Sequence, residues 1–272
     1  MSKSLSYNRH GFTLVLLSIC LMIIVFLGIT LSTVFNRDYV KKVVSSDANV
    51  SLIRSYTNQK LGRLVNNYSE VGSLSATDMS KSDIKKIINA SVDDVYNDDT
   101  KLTIGDVILQ TIGDNLKKEA KTNGVNIDSE IDSVVNNNKG IMDQIIQDDI
   151  GPIEQVLSEL QTLKRMVKLT MIAAGIIFVL LALRLWSKVG SSMMFFHHIG
   201  TVGIITSILL AVLLAGTYYP LQDLIASNIE YNLRDVLYNI LNGIFLSYIS
   251  IVFMLFILSI LDWGSTTKYK YR

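Results

Sequence analysis

The sequence has little of what disulfide-bonded domains and many enzymes depend on. It contains one cysteine, two prolines and three histidines in 272 residues, and 18% of its residues are charged. The single cysteine, Cys20, excludes an intramolecular disulfide, so any exported part must fold without one. A typical soluble domain carries about 25% charged residues. The chain is therefore more apolar than such a domain.

Motifs for nucleotide binding and catalysis are also missing. The sequence has no Walker motif and no glycine-rich phosphate loop, and no pair of acids is marked out for acid–base chemistry. A net charge of +1 argues against a nucleic-acid partner, because such proteins concentrate Lys and Arg on one face. We expect no catalytic residue, cofactor or metal, and we predict that the protein is not an enzyme.

Long apolar runs are what the sequence does contain. A helix needs about 20 apolar residues to cross a bilayer, and we predict transmembrane helices at residues 12–34, 167–186, 199–217 and 240–261. The first run exceeds the apolar core of a cleaved signal peptide, about 7–15 residues, so we predict an uncleaved signal anchor. The span cores hold no Asp, Glu, Lys or Arg, which argues against a self-sufficient ion-coupled transporter.

Charges around the spans predict the orientation in a plasma membrane. Basic residues dominate segments 1–11, 187–198 and 262–272, which we therefore predict to be cytoplasmic. Acidic residues outnumber basic ones in segments 35–166 and 218–239, which we predict to lie outside. All three histidines then lie on the cytoplasmic side, where none can activate an outer serine.

The pattern of residues 35–166 is helical. Apolar residues recur at helical spacing, Ser80, Ser82 and Asp83 are candidate N-terminal caps, and Gly124 is a candidate C-terminal stop. No Gly or Pro separates the last outer helix from the second span, so we predict one continuous helix there. We predict the same continuity where "NRDYVKKVV" leaves the first span.

The fold class follows from these elements. We predict an all-α integral membrane protein with four transmembrane helices and one extracytoplasmic helical-bundle domain inserted between helices 1 and 2. The segment 218–239 repeats apolar residues at helical spacing among several tyrosines. We expect it to lie on the outer leaflet or to dock beneath the bundle.

An acidic cluster in the outer domain is a weak candidate for a cation site. The stretch "VDDVYNDDTK" brings together Asp93, Asp94, Asp98 and Asp99. Extracellular carboxylate sites bind calcium weakly, at about millimolar concentrations. The spacing does not match the calcium-loop motif and lacks its glycine. The pattern therefore favours a solvated helix end.

Two features of the spans and their connection are candidate packing or partner sites. Gly203, Ser207, Ala211 and Ala215 recur at intervals of four, which lets helices approach closely. Packing among the four spans is favoured over a partner interface. In the cytoplasmic segment, the candidate partner residues are Lys188, Val189, Gly190, His197 and His198. Adjacent histidines point about 100° apart on a helix, which does not suit a shared metal.

Three known families share parts of this pattern. "RHGFTLVLLS" resembles the start of type IV pilins, but Leu16 replaces their Glu and three more spans follow. The layout of the spans is similar to that of claudin-like proteins, whose paired outer cysteines are missing. The layout also resembles that of permease subunits in mechanotransmitting ABC complexes, as does "RLWSKVGSSMMFFHHIG" around Val189 and Gly190. That resemblance implies an ATPase partner on the cytoplasmic side.

The sequence favours a non-enzymatic protein of the cell envelope. Its outer helical domain is expected to sense or bind a surface ligand or protein. Its spans are expected to contact the lipid bilayer, anchor that domain and recruit a membrane or envelope protein. The alternatives are a permease-like subunit of an ABC-type complex and a transporter or channel subunit formed by oligomerisation.

Overall fold

In the computed structural model, the described backbone covers residues 4–67, 78–96, 103–137 and 153–267. Every secondary-structure element within these ranges is a helix, as the periodicity predicts. The helices are α1 (Ser4–Ser32), α2 (Arg37–Val44), α3 (Asp47–Asn67), α4 (Lys81–Tyr96), α5 (Ile104–Thr122), α6 (Asp128–Asn137), α7 (Ile153–Val189), α8 (Ser192–Asn228) and α9 (Tyr231–Thr266).

The chain divides into two compact units. Unit 1 comprises Met1–Asn36, Thr162–Leu224 and Leu241–Arg272. Unit 2 comprises Arg37–Gln161 and Ile225–Ile240. The first unit contains the four apolar runs, and the second contains most of the segment predicted as an outer domain, together with part of segment 218–239.

Among the described residues, four helices are long and apolar enough to cross a membrane. The qualifying stretches are Gly11–Ser32, Ser158–Val189, Ser192–Asn228 and Leu233–Thr266. Each coincides with one of the predicted spans, although the last three extend beyond them. The prediction of an all-helical protein with four membrane-length helices is confirmed at this level.

In unit 1, α1 packs among the other three long helices. Leu17 of α1 forms one buried cluster with Leu185 of α7 and Val202 of α8. Ile29 of α1 forms a second cluster, with residues of α8 and α9. The Thr206 hydroxyl donates to the Ser18 carbonyl at 3.0 Å. Hydrogen bonds of this kind join helices in an apolar environment.

The less exposed face of α7 follows a heptad pattern. Its members lie alternately three and four residues apart: Lys164, Val167, Met171, Ala174, Phe178, Leu181 and Leu185. Such a seam packs one helix against a neighbour with a narrow stripe of contact. The unbroken course of α7 from Ile153 to Val189 confirms the predicted continuity of the last outer helix with the second span.

The predicted continuity after the first span is wrong. α1 ends at Ser32 and α2 begins at Arg37. The Phe35 N–H donates to the Thr30 carbonyl at 3.1 Å, and the Asn36 N–H to the Thr33 carbonyl at 3.2 Å. A bond back to the fifth preceding carbonyl closes a helix C-terminus and interrupts the α-helical ladder. The break therefore arises without Gly or Pro.

Both predicted connecting segments are mostly helical. Within 187–198, only residues 190 and 191 are non-helical, and Gly190 has φ +68°, a conformation that glycine adopts at little cost. Within 218–239, α8 continues through Pro220 to Asn228. Residues 229 and 230 then separate it from α9.

Unit 2 is built around a small apolar core. Its buried members come from α3, from α4 and from the segment just before α4. They are Val50, Met79, Ile84, Ile88 and Val92. Ile84, Ile88 and Val92 are four residues apart and so share one face of α4. Because the core is small, the polar contacts that join the helices of this unit matter for its stability.

Local caps fix the start of α4 and the end of α5 in unit 2. The Ser80 N–H donates to Asp83 at 2.9 Å, and the Asp83 N–H donates to the Ser80 hydroxyl at 3.2 Å, which is a capping box. Burial raises the pKa of the Asp83 carboxyl, but the hydrogen bonds from Ser80 and Asn115 outweigh it, so this pKa lies below its ordinary value. Gly124, at φ +73°, ends α5 as predicted.

Candidate functional site

The most strongly enclosed polar contact in unit 2 centres on Asn49 of α3. Its side chain is 0% exposed. Its Nδ2 donates to the Val43 carbonyl at 2.9 Å, and its Oδ1 accepts from Asn239 Nδ2 at 3.0 Å. A buried amide needs such partners, because leaving it unpaired costs about 1–3 kcal/mol. One side chain thus joins the end of α2, the start of α3 and α9.

A second hydrogen bond joins α3 to the residue just before α9. The Tyr56 hydroxyl donates to Glu230 at 2.8 Å, and Val236 is buried. The Arg234 Nε donates to the Ile229 carbonyl at 2.9 Å, which secures the turn before α9. The part of this segment that belongs to unit 2, residues 225–239, thus contacts α3.

The N-terminal part of α9, up to Ile240, belongs to unit 2. Asn239 lies in α9, which runs without interruption from Tyr231 to Thr266. A rigid helix transmits a small shift or rotation along its length more readily than a flexible loop. The α3–α9 contact, made by Asn49 and Tyr56 of α3 with Asn239 of α9 and Glu230 just before it, therefore lies within unit 2.

Asp93 of the acidic cluster pairs with two cations of α2. Its Oδ1 lies 2.5 Å from Arg37 Nε and 2.6 Å from Lys41 Nζ. The two basic residues are four apart and face the same way. The carboxylate is therefore already neutralised by protein groups.

Asp94 of the same cluster caps the next helix. It is 4% exposed, and it accepts hydrogen bonds from the Thr103 N–H, the Thr103 hydroxyl and the Ile104 N–H at 2.7, 2.7 and 2.8 Å. These donors lie at the N-terminus of α5, where a negative charge is favoured by the helix dipole. Asp94 therefore has a structural role that spacing in the sequence did not reveal.

The cation hypothesis rests on residues that are only partly described. Asp98 and Asp99 lie outside the described ranges. Across those ranges, no group of three or more His, Cys, Asp or Glu side chains is placed to hold a metal ion. With Asp93 and Asp94 occupied by protein partners, the weak cation site stays a prediction.

Asp94→Ala is expected to destabilise the protein by about 2 kcal/mol, because it removes a charged cap and its three hydrogen bonds to the start of α5. Thermal unfolding of the full chain in detergent would measure this loss. Asp114→Ala is the matched control, since Asp114 is an exposed acid on α5. Equal midpoints for the two variants would contradict the capping role. A calcium-dependent rise in the wild-type midpoint that Asp94→Ala abolishes would instead support the cation site.

An open polar groove lies between α4 and α5. It has a volume of about 450 Å³, and Lys86, Asn89, Asp93, Gln110 and Asp114 contribute its polar wall. Both signs of charge and two amides are present. The groove can therefore hydrogen-bond a small polar molecule or the polar side chains of a protein surface.

The small residues of the third span divide between two environments. Gly203 and Ser207 are buried, whereas Ala211 and Ala215 lie exposed on the surface of the protein. A Cβ at Gly203 would overlap the Ser259 side chain of α9. The first half of the predicted stripe therefore packs between spans, and the second half lines a groove.

Sequence spacing did not identify Gly200 as part of this packing contact. A Cβ at Gly200 would lie 2.8 Å from the Trp263 nitrogen and 3.0 Å from the Ser259 carbonyl oxygen. Gly200 precedes Gly203 by three residues, the other spacing at which helical residues share a face. That three-residue spacing is the sequence signal that could have identified Gly200.

The candidate partner residues of segment 187–198 are not equivalent. Lys188 and Gly190 are exposed, while Val189 packs against the cluster around Leu17. His197 is 6% exposed, and its ring stacks on Trp263 with centroids 5.7 Å apart. His198 is half-buried. The exposed residues of this segment are Ser187, Lys188, residues 190–193 around the turn, and Phe196.

Comparison with known proteins adds no assignment: no known family, no curated protein and no solved structure matches the chain.

Proposed function

We propose that the chain is a non-enzymatic membrane protein of the cell envelope. Residues 35–166 form a helical domain outside the plasma membrane, and this domain senses or binds a surface ligand or protein. The four spans anchor the domain and recruit a membrane or envelope partner, with both termini in the cytoplasm.

The α3–α9 contact is the observation that supports this proposal. A domain that is merely tethered needs no buried polar link to a helix beyond its own tethers. Here the fully enclosed Asn49 bonds Asn239 at 3.0 Å, in the helix that continues as the last membrane-length segment. Binding to the helices of unit 2 would change the position of α9 through this pair.

The groove between α4 and α5 is the surface that we assign to the bound molecule. Its wall includes Asp93, which Arg37 and Lys41 of α2 also hold. A ligand that competes for this carboxylate would loosen α2 from α4. Binding and a helix rearrangement would then be linked by a shared charge.

The orientation has a direct test by cysteine labelling. In a Cys20→Ser background, Ser129→Cys on α6 and Ser187→Cys at the end of α7 place single thiols at exposed positions. A membrane-impermeant maleimide should label Ser129→Cys in intact cells, and Ser187→Cys only after permeabilisation. The reverse pattern would overturn the proposed orientation, and labelling of both in intact cells would overturn the membrane arrangement.

The partner can be identified by brief crosslinking in the host cell, mild-detergent purification and mass spectrometry. We expect an envelope or surface protein whose recovery falls at least fivefold with Gln110→Trp, which fills the groove. Asn136→Trp, on an exposed position of α6, should leave recovery unchanged. Recovery of a cytoplasmic ATPase that is lost with Lys188→Glu, but kept with Gln110→Trp, would establish the permease-like alternative.

A further inference from the structure

An apolar groove runs along α8 and α9 within unit 1. Its volume is about 610 Å³. On α8 it is hollowed by Ala211 and Ala215, whose short side chains leave space beside larger neighbours. On α9 the facing wall includes Phe245, Phe253 and Phe256. All of these residues lie in membrane-length helices, so the surrounding medium is hydrocarbon rather than water.

One end of this groove is polar. The Tyr218 hydroxyl donates to Asn242 Oδ1 at 2.7 Å, and Gln222 Nε2 donates to the Tyr218 hydroxyl at 2.9 Å. Tyr218 directly follows the predicted span 199–217, where tyrosines are enriched at the membrane interface. Within the described part of the chain, the Asn242 Nδ2 donor has no acceptor. The groove is thus amphipathic along its length.

The dimensions of the groove match one leaflet of a bilayer. Its α8 wall runs from residue 207 to residue 219, which is about 18 Å at ~1.5 Å per residue. The hydrocarbon core of a bilayer is about 30 Å thick, so one leaflet contributes about 15 Å. A methylene group takes up about as much space as a water molecule, ~30 Å³. The volume therefore suits roughly 20 methylene groups.

The same dimensions argue against a transmembrane helix as the occupant. Dividing about 610 Å³ by the length of the α8 wall gives a mean cross-section of about 34 Å². A helix with its side chains is at least ~10 Å across, a cross-section of about 80 Å². A neighbouring helix could insert only side chains here, whereas an extended acyl chain fits as a whole.

We propose that this groove binds one acyl chain of a phospholipid from the leaflet in which Tyr218 lies. The ester or phosphate oxygens of that lipid accept a hydrogen bond from Asn242 beside Tyr218. The small side chains at Ala211 and Ala215 are what make room for the chain. This site does not depend on which side of the membrane that leaflet faces or on the function of unit 2.

The test uses the full chain reconstituted in vesicles of palmitoyl-oleoyl phosphatidylcholine and phosphatidylglycerol, then extracted in a mild detergent. Native mass spectrometry would count the phospholipids and the protein copies in each particle. Ala211→Phe fills the groove. Val212→Phe is the matched control, because Val212 is 67% exposed and is not part of the groove wall.

We expect one phospholipid per chain in the wild type and in Val212→Phe, and at least fivefold lower occupancy in Ala211→Phe. Asn242→Leu should reduce occupancy about three- to tenfold, the effect of one lost hydrogen bond. Equal occupancy in Ala211→Phe and Val212→Phe would overturn the proposal. So would a wild-type dimer that Ala211→Phe alone dissociates, because a second copy would then occupy the groove.

Discussion

Replacing Gly200 by alanine is expected to lower the free energy of unfolding by about 2–3 kcal/mol, the upper range for an overpacked interface. The added methyl group would meet the Trp263 nitrogen at 2.8 Å and the Ser259 carbonyl oxygen at 3.0 Å. Both are backbone atoms of α9, so no side-chain rotation can relieve the overlap. The two helices must separate, which opens the contact along its length. Thermal unfolding of the full chain in detergent would measure the loss.

A pair of further variants shows whether the close approach of α8 and α9 is the cause. Gly203→Ala overlaps the Ser259 side chain rather than backbone, so Ser259→Gly should largely rescue it. The same Ser259→Gly change should not rescue Gly200→Ala. Gly216→Ala is the neutral control, since a Cβ there meets nothing within 4 Å. A Gly200→Ala protein as stable as Gly216→Ala would contradict this packing.

Replacing Asn49 by leucine is expected to cost about 1–3 kcal/mol and to release the start of α9 from α3. Leucine has nearly the shape of asparagine but leaves the Val43 carbonyl and the Asn239 amide without their partners. The Asn49 site is fully enclosed whereas Asn239 is exposed, so only the lost partner of the Val43 carbonyl carries the cost of an unpaired group, about 1–3 kcal/mol. Hydrogen exchange of residues 229–240 would report the release, and thermal unfolding would report the total loss.

A double-mutant cycle separates the pair from its surroundings. Combining Asn49→Leu with Asn239→Leu should cost less than the sum of the two single changes, because neither amide is then left facing an apolar group. Asn136→Leu on the exposed side of α6 is the control and should change the midpoint little. Strictly additive losses would show that the two asparagines do not interact.

The helices of unit 2 were predictable because their signals are local. The apolar residues of α4 repeat within one helix, and the Ser80–Asp83 capping box involves residues three apart. Gly124 ends α5 through its own backbone conformation. Signals of this kind need no knowledge of distant residues.

The incorrectly predicted continuity after the first span and the helical course of segment 187–198 both depended on contacts or backbone geometry without a distinctive sequence. The break between α1 and α2 contains no Gly or Pro, and it is made by a hydrogen bond from Phe35 to the Thr30 carbonyl. Segment 187–198 resembles a loop in charge and length, yet its apolar residues pack and keep it helical on both sides of Gly190.

The candidate site was largely hidden in the sequence because its members are far apart along the chain. Asn49 and Asn239 are separated by 190 positions, and a single asparagine in a polar helix carries no signal of burial. Asp94 belonged to a visible acidic cluster, but only the placement of Thr103 shows that it caps α5. His197, a candidate partner residue from the sequence, is buried against Trp263.

By itself, the sequence determined that the chain is helical and that it has four helices of membrane length. Hydrophobic periodicity and run length act within each segment, and the cost of placing polar backbone in hydrocarbon leaves few other folds. Only the tertiary structure decided which small residues let spans touch and which ones line a groove. It alone also joined Asn49 to α9. These features depend on which surfaces meet in space, and a linear order of residues does not specify that.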